Sequence, residues 1–156
     1  MTIFNHERLT NDVFKIDFKR MRRGWYSDKY FENIGVMLST LAEQGYLFKG
    51  EALRLAEVDL SNTEVGNLEV EMQWFTRRTG KVVIAGVDKA LTMLRHCSGY
   101  FNENGKFVNT WNRLEVEAVH DGATVTYSGD PKTIQPVIRV RGRYRDFALL
   151  ETPTLG

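Results

Sequence analysis

Apolar residues recur at helical spacing between Asp28 and Gly45. Four of them lie three or four positions apart: Phe31, Ile34, Leu38 and Leu41. This spacing places them on one face of an amphipathic helix. Ser27 is a favourable N-cap, Asp28 is a favourable acid for the first turn, and Gly45 suits a left-handed helix end. The pattern predicts a first helix over residues 28–45.

A second helical pattern begins near Gly86 and Asp88. Its apolar side chains share one face: Val87, Ala90, Leu91, Leu94 and Cys97. Gly99 suits the end of this helix, and His96 near that end suits the negative pole of the helix dipole. We therefore expect a second helix with one buried side.

Two segments alternate between apolar and polar residues, as half-buried strands do. In residues 68–74 the polar positions are mostly acids. In residues 137–141, Ile138 and Val140 face one side, while the arginines face the other. Both segments are predicted to be strands with one face in the core.

A further pair of segments has the pattern of a hairpin. Residues 114–118 alternate, His120-Asp121-Gly122 is a strong turn signal, and residues 124–127 continue as the returning strand.

Three other segments leave alternatives open. The continuous apolar run at 82–85 fits a strand buried on both faces or the approach to a helix. Residues 48–60 fit a short helix or a strand, because Gly50 interrupts any longer pattern. Residues 9–18 fit an extended lead-in or a short edge strand.

Helices combined with hairpin strands predict an α+β fold, a mostly antiparallel sheet flanked by helices. We expect one α+β domain over residues 1–146. The apolar residues of the C-terminal segment indicate the start of a helix: Phe147, Ala148, Leu149, Leu150 and Leu155. Residues 147–156 are expected to be the start of a truncated helix that leads to a domain absent from this chain.

Composition narrows the functional classes. The 156 residues carry 21 basic and 20 acidic side chains, a net charge of +1, so no global field attracts nucleic acid or membrane. A single cysteine forbids an internal disulfide, and with three scattered histidines it does not form a zinc site. No run is apolar enough for a signal peptide or a membrane span. We expect a soluble, cytoplasmic protein without a bound metal.

The densest chemistry lies in residues 22–31, which combine cations, four aromatic rings and a helix start. Tyr30 falls in the first helical turn, beside an end that attracts anions. Cations beside Trp25 and Tyr26 suit a ligand that is both anionic and aromatic. The alternative places these rings in the core, and it fits Trp25 better than Tyr30.

Arg77 and Arg78 follow the first alternating strand, next to Gly80. Guanidinium groups bind phosphate in bidentate fashion, so this turn is a candidate phosphate clamp, although a basic surface turn has the same composition. A second basic group shares one strand face: Arg139, Arg141, Arg143 and Arg145. It suits nucleic acid, phosphates or an acidic partner, but alternating arginines on an exposed strand are more often simply solvated.

Catalytic signatures are missing from the sequence. It has no phosphate-binding glycine loop and no serine-nucleophile motif. Cys97 lies on the predicted buried side of a helix, where nothing lowers its thiol pKa. We therefore assign no catalytic residue to this chain.

Four motifs resemble the N-terminal region of nicotinate phosphoribosyltransferases, in the same order and with similar spacing. They are Arg22-Arg23-Gly24-Trp25-Tyr26-Ser27-Asp28-Lys29-Tyr30-Phe31, Met72-Gln73-Trp74-Phe75-Thr76-Arg77-Arg78, Ala85-Gly86-Val87-Asp88, and Arg141-Gly142-Arg143-Tyr144 with Leu150-Glu151-Thr152-Pro153. The likeness runs from about Arg8 to the last residue.

The resemblance implies an enzyme of NAD salvage that joins nicotinate to phosphoribosyl pyrophosphate, assisted by ATP with Mg²⁺. It implies an N-terminal fold like that of nicotinate and quinolinate phosphoribosyltransferases, a catalytic barrel beyond Gly156, and a homodimer with shared sites. Asp28 and Tyr30 match the family's Asp-x-Tyr pattern, whose tyrosine stacks on the pyridine ring. Arg78, with Arg77 as a near alternative, matches an arginine that contacts phosphate. This chain alone is expected to be inactive, since half a site does not stabilise the transition state.

Two other classes remain open. A non-catalytic phosphate- or nucleic-acid-binding module would use Arg77, Arg78 and the second basic group, although the likeness to the enzymes implies no nucleic-acid partner. An assembly domain would bury Phe147 and Leu150 between chains.

Overall fold

The computed structural model describes residues 7–50, 54–55 and 58–155. In these ranges the helices are α1 (Phe18–Met21), α2 (Lys29–Glu43), α3 (Val87–Cys97) and α4 (Glu151–Leu155). The strands are β1 (Arg54–Leu55), β2 (Val58–Asp59), β3 (Glu69–Trp74), β4 (Gly80–Val83), β5 (Gly99–Phe101), β6 (Phe107–Asn109), β7 (Glu115–Ala118), β8 (Thr124–Tyr127) and β9 (Ile138–Arg143). Short 3-10 turns connect several of them.

Every strand pairing in the described residues is antiparallel. The largest sheet has the order β3-β9-β7, with Met72 opposite Val140 and Val116 opposite Val140 on its other side. The remaining strands pair as β1-β2, β4-β8 and β5-β6. The fold is therefore α+β, antiparallel sheets flanked by helices, as the sequence predicts.

The core lies between α3, the inner face of the β3-β9-β7 sheet and the segment before α4. Leu94 of α3 and Val140 of β9 are completely buried, and Phe147 and Leu150 are 1% exposed. Burial of these apolar side chains is the main source of stability. Helix α2 packs on the 3-10 turns Val65–Asn67, Tyr144–Asp146 and Ala148–Leu150.

Local patterns predict the longest of these elements correctly. Both long helices form where the apolar spacing places them, and Gly45 adopts the left-handed conformation (φ 59°) after α2. In β3 the acids face outward, while Trp74 at its end is buried. Alternation along β9 is also confirmed, with Ile138 and Val140 in the core.

Two open alternatives are decided, and one local prediction is wrong. Residues 9–18 form no edge strand; they contain the 3-10 turn Asn11–Val13 and lead into α1. The run at 82–85 is not a strand buried on both faces, because Val83 is 72% exposed; β4 ends at Val83, and the chain then approaches α3, which begins at Val87. Asp28, not Ser27, occupies the N-cap position of α2, and its side chain makes no capping hydrogen bond.

The predicted hairpin at 114–127 is also wrong. The turn itself forms, with the Ala123 N–H donating to the His120 carbonyl at 3.0 Å. Its two flanking strands belong to different sheets, since β7 pairs with β9 and β8 pairs with β4. Of residues 48–60, the described part contains the two-residue strands β1 and β2, while 51–53 and 56–57 lie outside the described residues.

Candidate functional site

Tyr30 lies in the first turn of α2 and is 66% exposed. Its ring meets the edge of Phe31, with centroids 5.1 Å apart, and it faces solvent as the sequence predicts. The ring is therefore accessible to a ligand, on a helix of 15 residues that holds its backbone in place.

Asp28 is held by Thr152 of α4. The Thr152 hydroxyl donates to the Asp28 carboxylate at 3.1 Å and accepts the Asp28 N–H at 3.3 Å. Two hydrogen bonds between the same pair of residues fix the entry to α2 more tightly than one would. The carboxylate is consequently turned toward α4 instead of capping its own helix.

The aromatic residues before α2 are exposed. Trp25 is 68% exposed and Tyr26 is 45% exposed, so the interpretation that places Trp25 in the core is wrong. The Arg20 guanidinium lies 5.2 Å from the Trp25 ring centroid. Arg22 has a structural role instead, because its Nε donates to the His96 carbonyl at 2.9 Å, at the end of α3.

Arg77 and Arg78 follow β3 and are both exposed. The Arg77 guanidinium lies 5.8 Å from the ring of Phe75, and the Arg78 N–H donates to the Thr76 hydroxyl at 3.1 Å. Arg78 also lines a cavity of about 410 Å³, which Arg77 does not. The geometry thus distinguishes the two neighbouring arginines.

This cavity has mostly apolar walls with Arg78 on its lining. The walls come from β3, β4, β9 and the ends of α3 and α4: Trp74, Val82, Ile84, Val87, Ala90, Ile138 and Leu155, among others. A cation beside apolar walls suits a ligand that has a charged group and a hydrophobic body.

Helix α4 connects the two candidate regions. Thr152 holds Asp28, and two residues later the Thr154 hydroxyl accepts the Trp74 indole N–H at 2.9 Å. Among the described residues, no hydrogen bond or ring contact joins Tyr30 to Arg77 or Arg78. The structure therefore brings both regions to α4 without bringing these side chains together.

Two ionisable groups lie near this region, since Tyr144 interacts electrostatically with both Tyr30 and Glu151. Burial raises the pKa of the Glu151 carboxyl. The pKa of Tyr144 is raised by burial first, then by the nearby Glu151 charge and by Tyr30. Sequence reasoning assigned no role to either residue or to the two threonines of α4, although three of these four residues lie in the motifs that carry the resemblance. A pattern along the sequence does not show that these four residues lie close together in the fold.

The second basic group does not form a free anion site. Arg139 pairs with Glu117 at 2.9 Å, and Arg141 pairs with Glu115 at 3.0 Å and with Glu71. Arg143 and Arg145 lie beyond them, near Asp146. Their closest polar contacts are 2.7 Å to Asp146 for Arg143 and 3.0 Å to Asn67 for Arg145. These contacts occupy the charges that a nucleic-acid-binding module would need.

Two acids that sequence reasoning missed organise the start of α3. Asp88 is 5% exposed and accepts from Arg8 at 2.7 Å and from the Leu9 N–H at 2.9 Å. Asp121 accepts from the N–H groups of Val87 and Asp88, at 2.8 and 3.3 Å. It caps α3 from a distant turn, which spacing along the chain does not reveal.

Cys97 and His96 are structural. Burial raises the pKa of the Cys97 thiol to about 11, so it is not a nucleophile at neutral pH. The His96 ring stacks on Phe18 at 4.5 Å, and burial, then Arg22 and Arg95, lower its pKa. No group of three metal-binding side chains occurs among the described residues.

The comparisons with known proteins assign no family. No protein-family model matches the chain, and no curated protein matches it significantly. In the part of the chain that the structure describes, no helix has both the length and the apolar character needed to cross a bilayer.

Proposed function

We propose that this chain is the cytoplasmic, nicotinate-contacting N-terminal part of a nicotinate phosphoribosyltransferase. One observation carries the proposal: the separate motifs of the resemblance meet in space. The first motif contacts the last through Asp28 and Thr152, at 3.1 Å. The second reaches the same helix through Trp74, and the third lines the Arg78 cavity with Val87.

Tyr30 is the proposed stacking surface for the pyridine ring. It is exposed, rigidly mounted and close to the positive end of α2, which favours the carboxylate of nicotinate. Stacking on an aromatic side chain contributes about 1–3 kcal/mol, and a helix end contributes about 0.3–1 kcal/mol. Their sum is at most about 4 kcal/mol, which corresponds to millimolar affinity or weaker.

Arg78 is the proposed phosphate contact, and Arg77 is its alternative. Arg78 is favoured because it lines the cavity of about 410 Å³ beside α4. The catalytic barrel, the ATP and Mg²⁺ sites and the homodimer partner would lie outside this chain. The described residues hold no side-chain cluster that fits Mg²⁺.

The test is an NMR titration of this chain with nicotinate. We expect millimolar binding, with the largest shifts at Asp28 and Tyr30, and loss of these shifts in Tyr30→Ala. Tyr46→Ala is the matched control, because Tyr46 is also exposed, at 37%, just beyond the other end of α2. Unchanged binding by Tyr30→Ala, or phosphoribosyl transfer by this chain alone, would refute the proposal.

The proposed phosphate contact of Arg78 is tested by an NMR titration with phosphoribosyl pyrophosphate. Arg78→Gln is expected to remove the shifts around the cavity. Arg113→Gln is the control, since Arg113 is exposed and does not line the cavity. Equal losses in both variants would mean that the anion binds by charge alone.

A further inference from the structure

A series of hydrogen bonds, called the brace below, links Trp74 to the start of the helix that carries Tyr30. It runs through two threonines, Thr154 and Thr152, to which the resemblance gives no role. The brace starts at Trp74, which is 5% exposed and fixed at the end of β3. Its indole N–H donates to Thr154 at 2.9 Å. Thr152, on the same short helix, then holds Asp28, the N-cap residue of α2.

Helix α4 is suited to hold Thr154 and Thr152 in a fixed position relative to each other. Pro153 separates the two threonines, and its fixed φ limits how far they move relative to one another. Its missing N–H costs nothing, because it lies in the first turn, where backbone donors lack helical partners. The two hydroxyls therefore connect a buried strand end to an exposed helix start.

The Thr152 hydroxyl also determines what Asp28 does. An aspartate at an N-cap normally accepts from the amides of its own first turn. Here the Asp28 side chain makes no such bond, and its carboxylate accepts from Thr152 instead. Its N–H is held by the same hydroxyl at 3.3 Å. The first turn of α2, with Tyr30, is thus located by a tertiary contact and not by a local cap.

We propose that Thr152 is a positioning residue of the nicotinate site, whose hydroxyl fixes Asp28 and so orients Tyr30 for stacking. This inference rests on the proposed function of Tyr30. Thr152 itself does not contact the pyridine ring. It raises affinity by holding the first turn in its binding geometry before the ligand arrives, which lowers the ordering cost of binding.

The experiment compares Thr152→Val, which removes the hydroxyl but keeps the shape, with Thr152→Ser, which retains it. Thr40→Val is the matched control, because the Thr40 hydroxyl is exposed and bonds only within α2, to the Val36 carbonyl at 3.0 Å. Solvent exchange of the Asp28 amide and nicotinate affinity are both measured by NMR. Urea unfolding confirms that each variant is folded.

Thr152→Val is expected to speed exchange of the Asp28 amide about fivefold, because this amide loses the hydrogen bond that it donates to the Thr152 hydroxyl. It should weaken nicotinate binding about threefold to tenfold. Thr152→Ser should restore both values, and Thr40→Val should change neither.

Each alternative outcome has a distinct meaning. Unchanged Asp28 exchange in Thr152→Val overturns the brace. Faster exchange with unchanged nicotinate affinity overturns the positioning role and leaves the proposed function standing. Absence of nicotinate shifts at Tyr30 in the wild-type chain overturns the proposed function, and the positioning role with it.

Discussion

Gly66 is a position where one added methyl group should strongly destabilise the fold. It is buried in the turn Val65–Asn67, which packs against α2. A Cβ at this position would lie 2.1 Å from the Ala42 nitrogen, 2.5 Å from the Ala42 Cα and 2.6 Å from the Leu38 carbonyl oxygen. All three are backbone atoms of the helix that carries Tyr30, so no side-chain rotation relieves the clash.

The magnitude follows from overpacking. Extra carbon in a closely packed interior costs about 1–3 kcal/mol, and the contacts at Gly66 favour the upper end of that range. A loss of about 3 kcal/mol in a domain of this size lowers the Tm by roughly 6–12 °C. We therefore expect Gly66→Ala to be among the most destabilising glycine substitutions in the described residues.

Gly35→Ala is the matched control. Gly35 lies inside α2, and a Cβ there meets nothing within 4 Å. Alanine is about 1 kcal/mol more favourable than glycine in a helix, so this variant should be more stable than the wild type. Urea unfolding followed by circular dichroism measures both changes. A Gly66→Ala loss below about 1 kcal/mol would show that the turn can move away from α2, contrary to the packing described here.

Two other predictions concern α3. Asp121→Ala should lower the free energy of unfolding, measured in urea, by about 1–2 kcal/mol, because it removes the cap of a buried helix. Asp130→Ala, at the exposed turn Pro131–Thr133, is the control and should lower it less. Equal losses in the two variants would contradict the tertiary cap. The pKa of His96 is lowered in the folded state, so stability is complete above the unfolded value of about 6.5 and falls as the pH drops below it. His96→Phe should remove this part of the acid sensitivity, and an unchanged pH profile would exclude His96 as its source.

Periodicity predicts the elements whose burial is decided locally. The spacing of apolar residues identifies α2 and α3, and alternation identifies β3 and β9. The hairpin at 114–127 was predicted wrongly because a turn signal reports that the chain reverses, not which strand each arm joins. Here β7 pairs with β9 and not with β8, and the apolar Val140 of β9 lies opposite Val116 of β7.

The second basic group shows a similar limit on predicting sites. Viewed along β9 alone, its arginines form a possible anion surface. In the sheet, Glu71 lies opposite Arg141 from one side and Glu115 from the other, while Glu117 lies opposite Arg139. Opposite charges on facing strands stabilise a sheet, so these arginines are cross-strand partners. The outward acids of both neighbouring strands were visible in the sequence, but their register was not.

The motifs on which the proposed function rests contain two kinds of residue. Trp74, Asp88 and Thr152 make internal hydrogen bonds that maintain the fold. Tyr30 and Arg78, in contrast, direct exposed side chains outward from those same segments. An exposed ring and an exposed guanidinium, carried on segments that internal hydrogen bonds hold in place, are what a ligand-binding surface requires. This division is the physical reason to test these two residues first.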